Sequence, residues 1–148
     1  MSLRKRRPGL VYPTNEDWRY VGDTGEPAFG TDWGNSLSDQ NLAFRIRETG
    51  IVDIQGSIEN TASPSVPSTS VVFTLPVGYR PSAKANYSCS GSVATSGALV
   101  PVRVTISTGG TVDVGDARTS PYPVAGVTTV LRRVVINGQF FLTPPSAP

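Results

Sequence analysis

A chain of 148 residues and 15.6 kDa is long enough to bury one real core, so neither disulfide nor metal staples are obligatory. At 38% hydrophobic and 16% charged residues it is not a disordered polymer, and the absence of histidine removes the Ser-His-Asp and Cys-His pairs, the HExxH zinc helix and any imidazole pH switch. Cys89 stands alone, which excludes an intrachain disulfide and a CxxC metal or redox motif; no cofactor and no metal is expected.

Backbone preferences point to strands. Eighteen valines, fifteen threonines and six isoleucines outweigh ten alanines and eight leucines, and 15 glycines with 13 prolines supply many turns. No run of 18 apolar residues exists, so membrane insertion by a helix is not expected. The basic start from Met1 to Pro8 is followed by Gly9–Pro13, too short and proline-broken for a signal-peptide core, so the expectation is folding in a reducing cytoplasm without export.

Residues 1–38 read as an extended, irregular attachment arm. Four of the thirteen cations, Arg4, Lys5, Arg6 and Arg7, fall in its first seven residues, leaving nine cations against eleven acids elsewhere. Specific nucleic-acid binding would need basic and aromatic residues interleaved over a folded face, and that pattern is missing. The run is either a solvated tail or, as we prefer, a segment docking on an acidic partner surface. Trp18, Tyr20, Phe29 and Trp33 follow no period; Trp18 and Trp33 are the expected anchors. The acids Glu16, Asp17, Asp23, Glu26 and Asp32 lack the ordered spacing of a calcium loop and read as solvated turn residues.

Residues 39–142 read as the head. Leu42, Phe44 and Ile46 alternate with polar neighbours, Glu48-Thr49-Gly50 turns, and Val52, Ile54, Gly56 and Ile58 alternate again with Asp53, Gln55, Ser57 and Glu59. A polar loop (60–69) leads to a strand over 70–75, closed by Pro76-Val77-Gly78. A strand over 84–89 precedes a small-residue loop (88–97). Val102, Val104 and Ile106 then alternate into a two-residue Gly109-Gly110 turn and a strand over 111–114. After a long loop (115–126), a strand over 127–136 is expected to turn at Asn137-Gly138 into 139–142, with 143–148 a flexible tail. About eight strands at intervals of roughly 8–12 residues predict an all-β antiparallel sandwich or barrel.

The block from Trp18 to Phe29, then Trp33-Gly-Asn35, then Phe44 to Gly56, then Val72 to Pro81 (VFTLPVGYRP) resembles small tail proteins of bacteriophages. It looks most like the minor tail proteins of phages infecting actinobacteria, and the same blocks are similar to the head domains of siphophage receptor-binding proteins and tail fibres. The resemblance spans roughly Trp18 to Leu142, and its most specific block is FTLPVGYRP. It implies a jelly-roll-like head that assembles as a homotrimer on the virion, with no catalytic residues. Pro76, Gly78, Tyr79, Arg80 and Pro81 are implied as architecture: the prolines rigidify, Gly78 turns, the Tyr79 hydroxyl is tethered and Arg80 pairs with a carboxylate or carbonyls. No heptad neck precedes the strands, which favours a compact protein seated on the tail.

The primary functional expectation is therefore a virion structural protein, not an enzyme, whose arm contacts other virion proteins and whose loops face a host glycan or protein. Candidate contacts are Ser65, Ser68, Ser92, Thr95, Thr119 and Tyr122. A capsid decoration or head-fibre protein would use the same parts. A glycan-degrading enzyme would need two carboxylates about 5–10 Å apart. Asp53 and Glu59 share a strand face but lie some 20 Å apart by strand rise, and Glu48 and Asp53 straddle a hairpin and read as solvated.

Overall fold

A computed structural model describes residues 15–63, 65, 67–116 and 130–142. Nine strands make up the regular structure: β1 (Arg19–Tyr20), β2 (Trp33–Asn35), β3 (Ala43–Ile46), β4 (Ile51–Asn60), β5 (Val71–Thr74), β6 (Ala85–Val93), β7 (Leu99–Ile106), β8 (Thr111–Asp116) and β9 (Leu131–Phe141). All pairings are antiparallel, in the order β1-β3-β4-β9-β6-β7-β8-β5, and β2 pairs separately with β4. The sheet curls into a half-barrel, so the all-β expectation is met.

Period-two patterning drives the curl. Val52, Ile54 and Ile58 of β4, Val134 and Ile136 of β9, Val102, Val104 and Ile106 of β7, and Val112 and Val114 of β8 all point to one side and are fully buried. Phe44 and Phe73 meet across this core with centroids 6.0 Å apart, and Tyr79 stands edge-on to Phe44 at 5.1 Å. The open side is closed by the segment leading into β2: Gly30 N–H donates to Val72 O of β5 at 2.7 Å, and the Trp33 indole donates to Thr69 O at 2.8 Å. A Cβ on Gly30 would lie 2.1 Å from Val71 O, so the seam tolerates no side chain there.

The structure departs from the sequence reading in identifiable places. Residues 15–38 are not irregular throughout, because β1 and β2 join the sheet and Val21 and Trp33 enter the core. The segment 88–93 is strand rather than loop. Its Gly91 lies where an added Cβ would meet Val102 Cγ2 at 2.6 Å, so the glycine permits close packing and does not mark a turn. Asn137-Gly138 does not turn either. β9 runs unbroken to Phe141, and Gly138 leaves room for the Tyr87 ring, whose atoms would lie 3.2 Å from a Cβ. The β7–β8 connection is a three-residue Thr108-Gly109-Gly110 loop: Gly110 N–H bonds Ser107 O while Ser107 N–H bonds Thr111 O, a turn followed by a left-handed bulge residue. The Glu48-Thr49-Gly50 loop repeats this design, with Gly50 at φ 79°.

Tyr87 shows how the packing sets a titration. Its hydroxyl donates to Gln139 O at 2.6 Å. Burial, with a smaller contribution from Cys89, pushes the phenol up to about 12. The folded phenol therefore holds its proton where the unfolded one, near 10, has lost it. Its stabilising contribution is full below about pH 10 and disappears as the pH rises towards 12. Urea unfolding from pH 8 to 12 should show Tyr87→Phe losing stability less steeply than the parent above pH 10; parallel curves would refute this.

Candidate functional site

Apart from the β1–β2 and β2–β3 segments, register places the connections at one of two ends. At one end lie the close of β4, the start of β5, the β6–β7 hairpin, the close of β8 and the start of β9. The loops 61–70 and 94–98 and both flanks of 117–129 thus share that end. Ala94 N–H bonds Val130 O at 2.7 Å, and the Asn60 amide donates to both Ser65 O (2.9 Å) and Leu131 O (3.1 Å), tying the three neighbourhoods together. At the opposite end lie the 47–50, 76–79 and 107–110 turns. There Glu16 N–H bonds Ile46 O, Asn15 Oδ1 accepts from Glu48 N–H, and Leu142 N–H bonds Gly50 O. Asn15 and Leu142 therefore both lie at the end away from the 61–70 and 94–98 loops.

At the loop end Ser65, Ser68 and Thr95 are exposed. Ser92, expected in a loop, belongs to β6, opposite Arg133 and Leu99, because the strand continues to Val93. Thr119 and Tyr122 lie outside the described residues. Asp32, at φ 66°, organises this end. Its carboxylate accepts from Ser68 N–H at 2.9 Å and its carbonyl accepts from Thr61 N–H, so both sides of the 61–69 loop hang from one residue. The Ser68 hydrogen bonds, backbone first, hold the carboxyl below its usual range. The stability it confers is thus present above the ordinary carboxylate pKa and is lost as the pH falls through the lowered value. Asp32→Asn keeps a residue tolerant of positive φ but gives up the charged acceptor. Hydrogen exchange at the Ser68 amide should accelerate several-fold near neutral pH with the fold retained; unchanged exchange would refute the pin.

The turn end is built by the VFTLPVGYRP block. Tyr79 N–H bonds Pro76 O across a turn carrying Gly78 at φ 97°, Pro81 is buried, and Arg80 Nε donates to Leu75 O at 2.9 Å. The Tyr79 hydroxyl donates to the Glu16 carboxylate. Arg19 lies 4.9 Å from the Tyr79 ring centre and 5.4 Å from that of Phe44, with its guanidinium bonded to Glu26 at 2.9 and 3.0 Å. The hydrogen bond to Glu26, then that to Tyr79, raises the Arg19 pKa further above its ordinary value, while burial, ahead of the Glu16 contact, raises that of Tyr79. Glu16 and Glu26 thus have structural partners. Sequence reading missed this clasp because its members lie 7 to 63 positions apart.

Of the expected anchors, Arg4, Lys5, Arg6 and Arg7 lie outside the described residues. Trp33 is corrected: it is 4% exposed and spent on the core. Trp18 is half-buried with the Arg45 guanidinium 4.3 Å from its ring centre. Asp53, expected to be solvated, is 4% exposed and accepts from Arg47 at 2.5 and 2.8 Å with Arg45 at 3.5 Å, while Glu48 is exposed as read. Glu59 pairs with Arg132 at 3.4 Å. Among the described residues no group of three or more His, Cys, Asp or Glu side chains converges to hold a metal. No family model, curated protein or solved structure matches this chain.

Proposed function

We propose that this protein is a virion component of the minor-tail-protein type: a homotrimeric, non-enzymatic β head, assembled in the host cytoplasm, that its N-terminal arm fixes to neighbouring virion proteins. The carrying observation is the polarity of the body. Its described residues begin and end at the turn end, and the 61–70 and 94–98 loops project from the other. A body tethered at one end presents the opposite end outward, and loops on a rigid sheet are where recognition is commonly placed. The host-facing surface in this reading is that loop end, with Ser65, Ser68 and Thr95 foremost and a cell-surface glycan or protein as its partner. Against wall-glycan hydrolysis, Asp53 and Glu59 are each already engaged by an arginine partner of their own.

Immunogold labelling of virus particles carrying this sequence tests the reading. Label on the tail is expected; label on the head would move the protein to capsid decoration, and unlabelled particles would overturn the proposal. Light scattering should return three times the 15.6 kDa chain mass. Deletion of residues 1–7 should abolish particle incorporation and leave the unfolding transition unchanged.

A further inference from the structure

The outer face of the sheet is not flat. Where β2 gives way to β3 along the edge of β4, the connecting segment 36–42 rises beside the sheet. A trough of about 410 Å³ lies between this strap and β6, within the volume range of small-ligand sites. Its position follows from register: Gln55 of β4 stands opposite Asn137 of β9, and Ser57, Val135 and Ser90 form the next row across β4, β9 and β6. Side chains on one sheet face at these positions are immediate neighbours.

The chemistry gathered there is specific. The side chains of Gln55, Asn137, Ser90 and Ser92 line the trough, and none has an intramolecular hydrogen-bond partner among the described residues. Two carboxamides and two hydroxyls thus offer both donors and acceptors over a short span. The charge in the trough is internally balanced. Arg133 is held by Asp39 at 3.0 Å and by Ser38 at 3.0 Å, and Ser36 and Ser57 each donate to the same Asp39 oxygen at 3.3 Å. Val135, 48% exposed, and Leu99, 82% exposed, add aliphatic surface on either side of Ser90 and Ser92. An anion would meet no free cation, and a wholly apolar ligand would strand the amides without partners. What fits is a neutral, polyhydroxylated ring with polar edges and a C–H face.

We infer that this trough is a binding site for a neutral sugar. Gln55 and Asn137 supply the paired donor and acceptor for adjacent hydroxyls, and Val135 packs against the ring's C–H face. The site lies on the flank of the body, separate from the 61–70 and 94–98 loops at its end, and it stands whether or not the chain is a virion component.

The test is titration of the ¹⁵N-labelled full chain with neutral probes (glucose, galactose, N-acetylglucosamine and maltose) and with glucuronate and glycerol phosphate as anionic probes. At least one neutral probe should shift the side-chain amide signals of Gln55 and Asn137 with a Kd on the order of 1 mM. Gln55→Ala and Asn137→Ala should each weaken that binding roughly tenfold, the loss of about one well-made hydrogen bond. Ser88→Ala, on the same face but outside the trough, should not weaken it. All variants should keep the parent's dispersed backbone spectrum. The inference is overturned if no neutral probe moves these amides, if only the anions do, or if binding survives both substitutions. It is also overturned if the same signals shift with protein concentration alone, which would make the trough a contact between copies. Loss of particle labelling would leave this result untouched, so the two proposals fail separately.

Discussion

Truncating Phe44 to alanine is expected to cost about 3–5 kcal/mol of unfolding free energy, a large part of the 5–15 kcal/mol that a domain of this kind possesses. Phe44 has no exposed surface, packs on Phe73 and receives the edge of Tyr79, with the Arg19 guanidinium over its ring. Its removal leaves an apolar cavity at the junction of core and turn end, and it withdraws support from the Tyr79–Arg19–Glu16 clasp. Phe141→Ala gives the control. That ring, on the outer face and 46% exposed, should cost no more than about 1 kcal/mol. Urea titrations of both variants at neutral pH measure the difference, and equal costs would refute the assignment of the core to this face.

The contrast between Phe44 and Asp53 shows what a single sequence discloses. Phe44 sits in an alternating run, and alternation names the buried face without knowledge of neighbours, so Leu42, Phe44, Val52, Ile54 and Ile58 were all legible as core. Asp53 occupies the outward phase of the same pattern, and outward reads as solvated. Its burial comes from Arg45 on the paired strand and Arg47 in the turn that follows it, with Trp18 laid over Arg45, a cover that strand phase does not encode. The same limit applies to β1 and β2. Strands of two and three residues are too short to show a period, and they exist because β3 and β4 present free edges to them. Glycine misled in the opposite direction: at Gly91 and Gly138 it serves close packing inside strands, where sequence alone suggests turns. The trough was illegible for a further reason. Gln55, Ser90 and Asn137 are ordinary outward polar residues until pairing of β4, β9 and β6 brings them together.

Gly56 is where these levels meet, and Gly56→Ala is expected to be among the most destabilising single changes available, about 3–5 kcal/mol. The residue sits mid-strand at φ 138°, and a Cβ there would lie 2.5 Å from both Asn41 O and Leu42 Cα. Relief requires the strap to retreat, but Leu42 is fully buried, Leu42 N–H bonds Asn35 Oδ1 at 2.9 Å, and Ser57 N–H bonds Gln40 O at 2.8 Å. The strap cannot move outward without opening the core beneath it. Gly97→Ala gives the comparison at a positive-φ glycine that no neighbour approaches. Gly97 also has a positive φ, 69°, but nothing lies within 4 Å of its added Cβ, so its penalty should stay near 1 kcal/mol. Because the strap also carries Asp39, the partner of Arg133, any folded Gly56→Ala protein should bind the neutral sugar more weakly, whereas Gly97→Ala should bind as the parent does. Equal stability of the two variants by urea denaturation would show that backbone strain alone, and not the approach of the strap, explains the glycine at position 56.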